Sequence, residues 1–159
     1  MRNLLTIELI PKTSWYKNVR SNISKEEWEK LKKITFSRAG YKCEICGGRG
    51  GRWPVECHEI FTYDDEQRIQ KLVRLIALCP ACHEVKHIGL ASVRGRGNSA
   101  KTHLAKVNNW SVEDAELYIE GCFEQWHRRS CHKWKLDLSY LEQFGIEIGD
   151  NSRNKGISG

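Results

Sequence analysis

The sequence predicts an α+β fold in which two extended segments lie between helices. The first observation is a helix start at Ser24, which forms the S-x-x-E pattern of a capping box with Glu27. The second is a pair of strand-like segments, Val55–Tyr63 and part of Ile69–Leu78, which follow a glycine-rich loop, although the pattern of Ile69–Leu78 also fits a helix. The third is a longer amphipathic helix that Ser111 caps. Helices before and after a β-hairpin are typical of the α+β class.

The remaining elements follow from apolar spacing and from helix start and stop signals. Residues 1–23 predict an extended lead-in, and we expect Trp15–Tyr16 to dock on the body of the protein. The first helix ends at Gly40 and repeats apolar residues at helical spacing, namely at Trp28, Leu31 and Ile34. Pro80 fits the first turn of a short helix over about Ala81–Leu90.

The chain has the length of one domain, 1–159, and we expect four regions within it. Residues 1–40 form the lead-in and first helix, and 41–91 form the cysteine-rich core. Residues 92–148 form a basic loop and the C-terminal helices, and 149–159 form a flexible tail.

Composition and charge favour a cytoplasmic protein with a polyanionic partner. The formal net charge is +6, which suits nucleic acid such as DNA. Thr6 and Glu8 interrupt the apolar N-terminal run, so it does not resemble the core of a signal peptide. No stretch approaches the ~18 apolar residues of a membrane span, and we expect no membrane partner.

Four of the seven cysteines predict a structural zinc site. They form two C-x-x-C pairs, Cys43 with Cys46 and Cys79 with Cys82, separated by 32 residues. Each C-x-x-C turn directs two sulfurs at one point, and two such turns complete a tetrahedral site. In a reducing compartment, paired thiols at this spacing favour zinc over disulfides.

Histidines next to the second C-x-x-C pair predict a second, catalytic centre. His83 and His87 are spaced i,i+4 and share one face of the predicted helix. Zinc would tie the start of this helix to the loop before the first strand, which carries His58 and Glu59. The strand and the helix can then meet in a small metal-dependent site.

The segments CEIC, VECHEI and LIALCPACHEVKH resemble the HNH endonucleases. In that family a β-hairpin followed by a helix forms a ββα-metal core, and zinc-bearing members brace it with two C-x-x-C pairs. The resemblance covers about 41–87 and implies a DNA endonuclease that hydrolyses phosphodiester bonds. It also implies a catalytic divalent cation, such as Mg²⁺, Mn²⁺ or Ni²⁺, besides the structural Zn²⁺.

The resemblance also implies roles for individual residues. The histidine after the last cysteine, here His83, binds the catalytic ion, and His87 is a second candidate ligand. The strand carries a metal ligand followed by the general base, and two alignments fit. One pairs Cys57 with His58 and makes His58 the base; the other pairs His58 with Glu59 and makes Glu59 the base.

We expect His58 to be the base, because imidazole titrates near neutral pH. Arg74 stands where the family has a central asparagine, and it could instead contact phosphate. This departure supports an alternative function, a non-catalytic zinc module that binds nucleic acid or protein through a decayed HNH site. The other candidate phosphate contacts are Arg94, Arg96 and Lys101.

The other cysteines and histidines are expected to be structural or exposed. Cys57 is expected to be a small buried apolar residue, and His103 a surface residue on a basic helix. A second zinc site would need four residues that helical spacing distributes around a helix, namely Cys122, His127, Cys131 and His132. An amphipathic helix therefore explains that segment better.

Overall fold

The computed structural model describes residues 4–14, 17–49 and 54–148. The expectations for Trp15–Tyr16 and for the tail 149–159 fall outside these residues. Within them the helices are α1 (Lys25–Arg38), α2 (Pro80–Lys86), α3 (Ile88–Val93), α4 (Gly97–Asn108) and α5 (Val112–Arg129). The strands are β1 (Glu56–Asp64), β2 (Ile69–Leu78) and β3 (Lys135–Asp137), and short 3-10 helices cover Arg20–Asn22 and Ser139–Phe144. The predicted mixed α+β class is confirmed.

Helix α1 begins with the predicted capping box. Ser24 Oγ accepts the backbone N–H of Glu27, and the Glu27 carboxylate accepts the N–H of Ser24. Two of the unpaired N–H groups at the helix start are therefore satisfied. Trp28 and Leu31 bury the inner face of the helix, and Gly40 leaves it at a φ of +65°.

The sheet has the order β1-β2-β3, with β2 in the centre. Strands β1 and β2 are antiparallel, with His58 opposite Ile76, and the register shifts between Ile60 and Phe61. The three-residue β3 pairs in parallel with the start of β2. The sequence did not predict β3, because three residues at a sheet edge carry too little pattern to show a period of two.

The two faces of the hairpin pack against different parts of the chain. Ile76 and Leu78 join a core with helices α2 to α5 on one face. Phe61, Leu72 and Leu75 join α1 and the C-terminal segment on the other face. Because successive side chains of a strand point to opposite faces, each residue of β1 is assigned to one of these two environments.

The helix predicted over 81–90 is instead two helices, which corrects that prediction. Helix α2 ends at Lys86, and His87 has a φ of −108° and a ψ of 45°, outside the helical region. The N–H of His87 is shared between the carbonyls of Glu84 and His83, a tightened last turn. Helix α3 starts at the next residue, so His87 lies in the bend between two helices.

The extended N-terminal segment is held by side chains of α4 and α5. The buried amide of Asn108 accepts from the Leu5 N–H at 2.8 Å and donates to the Leu5 carbonyl at 2.9 Å. Tyr118 Oη accepts the Ile7 N–H at 2.9 Å. These bonds replace the strand partners that the segment lacks. In the part of the chain described here, no helix combines the length and the apolarity needed to cross a bilayer.

Candidate metal centres

The four C-x-x-C cysteines meet at one point, as predicted. Their sulfur atoms all lie within 4.8 Å of one another. Cys46 Sγ and Cys79 Sγ are 3.6 Å apart, far beyond the about 2.05 Å of a disulfide. Two sulfurs on a tetrahedral zinc, each about 2.3 Å from the ion, are about 3.8 Å apart. The spacing therefore fits a group that could hold zinc.

The acidity of these thiols also fits a cation between them. A hydrogen bond from Cys82 lowers the pKa of Cys43 to about 4, so one thiolate forms readily. Burial raises the pKa of Cys79 to about 11, and the nearby Cys43 thiolate contributes to the increase. Because the shifts at Cys43 and Cys79 have opposite directions, negative charge on one sulfur disfavours it on its neighbour, whereas a bound divalent ion would favour the deprotonated form of the thiols.

Glu44 fixes the first C-x-x-C loop to β2. Its backbone N–H donates to the Ala77 carbonyl at 2.9 Å, and its carboxylate accepts the Ala77 N–H at 2.7 Å. The same carboxylate pairs with the Arg74 guanidinium. Arg74, predicted as a nucleic-acid contact, therefore has an intramolecular partner, although 43 % of its side chain is exposed.

A second group consists of three histidines. His58 lies on β1, His83 lies on α2, and His87 follows the last residue of α2. One ring nitrogen of each lies within 4.8 Å of the others, a spacing that could hold a metal ion. The ring centroids are 4.7–5.2 Å apart. The strand and helix that carry them are those that the sequence expected to meet, and the Cys79–Cys82 segment connects that helix to β2, the hairpin partner of β1.

Glu56 orients this cluster, a role that was not predicted from the sequence. Its carboxylate lies 2.6 Å from His83 Nδ1, which places a proton on that nitrogen. His83 Nε2 then faces His87 Nε2 at 3.1 Å. Glu56 lies two residues before His58 on the same strand, so the period of two was the available signal. A carboxylate behind an imidazole is the usual outer support of a metal-binding histidine.

The environment keeps two of these imidazoles neutral. Burial, together with the neighbouring His83 and His87 rings, lowers the pKa of His58 to about 2. Loss of hydration and the neighbouring His83 lower the pKa of His87 to about 4. Neutral imidazoles keep the lone pair that a metal ion needs. The cluster therefore suits a cation other than the proton.

Glu59 lies on the opposite face of β1 from the histidine cluster. Its carboxylate accepts the Val19 N–H at 3.2 Å, beside the core that contains α1. Burial raises the pKa of Glu59 from 4.5 to about 7. Of the two residues that the sequence offers as the base, His58 lies in the cluster and Glu59 points away from it.

The remaining predicted residues lie around the two centres. Arg96 donates to Glu84 of α2 at 2.6 Å, Lys101 pairs with Glu116 of α5, and Arg94 is exposed after α3. His103 is half-buried and lies 3.2 Å from Cys82 Sγ, which corrects the expectation of a surface residue. The region suspected of a second zinc site forms α5 and the turn after it, with no metal-binding group among its described residues.

Comparisons with protein-family models, curated proteins and solved structures found no match for this chain. Any function of this protein must therefore be inferred from the geometry of the two groups. The four thiols could hold a structural metal such as zinc, and the three imidazoles could hold a second ion. Both groups lie at the end of the hairpin where β2 leads into α2.

Proposed function

We propose that this protein is a metal-dependent endonuclease of the HNH type that hydrolyses phosphodiester bonds in DNA. The observation that carries the proposal is the cluster of His58, His83 and His87, built from one strand of a hairpin and the helix that follows it. A domain stabilised only by its four-cysteine site would have no need for three converging imidazoles supported by a carboxylate.

The donor set indicates which ions the cluster would take. Three imidazole nitrogens suit Zn²⁺, Ni²⁺ or other borderline transition ions better than Mg²⁺, which prefers oxygen ligands. A divalent ion held there would stabilise charge on the scissile phosphate and lower the pKa of an attacking water. The protein contributes fixed ligand positions, through the Glu56–His83 hydrogen bond and the burial of His58, which is 8 % exposed.

His58 has two roles consistent with its position. As a neutral imidazole it can accept a proton from water, the role expected from the sequence, but the burial that lowers its pKa to about 2 makes it a weak base. As the third nitrogen of the cluster it can bind the ion, a role that its low proton affinity favours. The ion affinity of a His58 variant distinguishes the two roles. If His58 is a ligand, its loss weakens ion binding; if His58 is only the base, its loss leaves ion binding intact.

DNA is the proposed substrate because the chain is basic and an exposed arginine lies near the cluster in sequence. The net charge is +6, and exposed Arg94 follows α3 directly. Arg96 and Lys101 are paired with acidic residues, so phosphates would have to compete with those carboxylates. Phosphate contacts of this kind supply affinity without sequence preference.

The test is cleavage of supercoiled plasmid by zinc-loaded protein with added Ni²⁺, Mn²⁺ or Mg²⁺. His58→Ala should reduce the cleavage rate by roughly 10²–10⁴ if His58 is the base. His127→Ala is the matched control, because this exposed histidine of α5 lies outside both metal-binding groups. Wild-type protein that cleaves neither DNA nor RNA with any ion would contradict the proposal.

One observation favours the alternative, a non-catalytic zinc module that binds nucleic acid or protein. Arg74 occupies the position of the family's central asparagine, and its guanidinium is engaged with Glu44 at the zinc loop. Tight nucleic-acid binding without cleavage, unchanged in His58→Ala, would support this function.

A further inference from the structure

The sulfur atoms of the four-cysteine group are surrounded by N–H donors. Cys43 Sγ accepts the Cys46 N–H at 3.5 Å, and Cys46 Sγ accepts the Gly48 N–H at 3.4 Å. Cys79 Sγ accepts the Cys82 N–H at 3.4 Å. For these three sulfurs the donor is a backbone N–H two or three residues further along the chain.

Cys82 obtains its donor in a different way. It lies in the first turn of α2, where the following backbone N–H groups bond to helix carbonyls rather than to a side chain. The group found at its sulfur is the imidazole of His103, with Nε2 3.2 Å from Cys82 Sγ. This ring comes from α4, 21 residues away in the chain.

His103 lies outside the set of metal ligands. The atoms that are mutually within 4.8 Å are those of the four cysteines, and His103 is not among them. The ring approaches one sulfur from outside the group, which is the position of a hydrogen-bond donor. Buried Ala100 and Leu104 pack helix α4 into the core that also contains α2, which fixes the backbone position of His103.

We propose that His103 is a positioning residue of the four-cysteine metal centre, which donates Nε2–H to the Cys82 thiolate and completes its shell of N–H···S bonds. Four thiolates around a divalent ion carry a net charge of −2, and each donor offsets part of it. A sulfur without a donor is a stronger nucleophile and a better target for protons, and its bond to the metal opens more readily. Through the His103 side chain, α4 helps to stabilise the four-cysteine metal centre.

The test measures zinc transfer from purified protein to a chromophoric chelator, in wild-type protein and in His103→Ala, His103→Gln and His127→Ala. Removal of an outer donor should weaken metal retention about 10–100-fold in His103→Ala. His103→Gln keeps an N–H donor and should recover much of it, and the control His127→Ala should match wild type. Equal zinc transfer in His103→Ala and wild type would overturn the proposal.

A second measurement needs no variant. In wild-type protein loaded with ¹¹³Cd, scalar coupling across the hydrogen bond should link the metal to the His103 ring proton. Absence of this signal, while the backbone N–H groups of Cys46, Gly48 and Cys82 show theirs, would also overturn the proposal. So would direct cadmium–nitrogen coordination by His103, which would make it a ligand. Neither measurement depends on nuclease activity, so the two proposals can fail separately.

Discussion

Replacement of Glu59 by glutamine should stabilise the protein at high pH. The buried environment raises the pKa of Glu59 from 4.5 to about 7. The folded protein therefore holds this proton more tightly than the unfolded chain, and the wild type loses stability as pH rises from 4.5 to about 7. Glutamine cannot ionise, and its amide oxygen can still accept the Val19 N–H.

The size of the stabilisation follows from the pKa of Glu59 in the unfolded chain and in the folded protein. Each pH unit between them changes the free energy of unfolding by about 1.4 kcal/mol, which gives an upper limit of about 3 kcal/mol at pH 8. Glu59 is only half-buried by its accessible surface, and contact with solvent reduces the cost of ionising its carboxylate in the folded protein. We therefore expect Glu59→Gln to gain about 1–3 kcal/mol over wild type between pH 5 and pH 8.

Urea unfolding of both proteins at pH 5, 6, 7 and 8, with zinc present, measures this gain. Changes in zinc affinity with pH affect both proteins and cancel in the difference. A difference that is constant with pH, or that favours wild type more as pH rises, would refute the buried-carboxyl explanation. The same variant tests the site: since Glu59 faces away from the histidines, plasmid cleavage should stay near the wild-type rate.

Three further predictions concern the four-cysteine group, the proposed DNA interface and the N-terminal segment. Cys79→Ser/Cys82→Ser should lose the bound zinc and unfold the core around it, measured by metal analysis and circular dichroism; undiminished zinc would exclude the four-cysteine assignment. Arg94→Gln should reduce the slope of log K for DNA against log salt by about 1, and an unchanged slope would remove Arg94 from the interface. Asn108→Ala should lower the free energy of unfolding by about 1–3 kcal/mol, because it leaves the buried Leu5 N–H and carbonyl unpaired; a change within about 0.5 kcal/mol would contradict this account of the N-terminal segment.

Local patterns made the four-cysteine group and the histidine pair predictable. The C-x-x-C spacing is itself a turn that converges two sulfurs, and the i,i+4 spacing of His83 and His87 is a property of a single helix. The capping box of Ser24 and Glu27 is similarly contained within four residues. None of these features depends on knowing which distant segments pair.

Features that depend on long-range register were not predictable. Alternation along β1 separates His58 from Glu59, but the sequence does not say which face meets α2. The contact of His103 with Cys82 requires the packing of α4 on α2. The bend at His87 could not be predicted either, because no glycine or proline stands at that position. The Glu56–His83 pair spans 27 residues and both elements of the site.

We propose that the three imidazoles hold the ion required for cleavage. The most direct measurement is the plasmid cleavage rate of zinc-loaded wild type and His83→Ala as a function of added Ni²⁺ or Mn²⁺. We predict that the His83→Ala curve moves to higher ion concentration and regains part of its rate there, since mass action offsets weakened binding. Superimposed curves, or wild-type cleavage that does not depend on added ion, would contradict the claim.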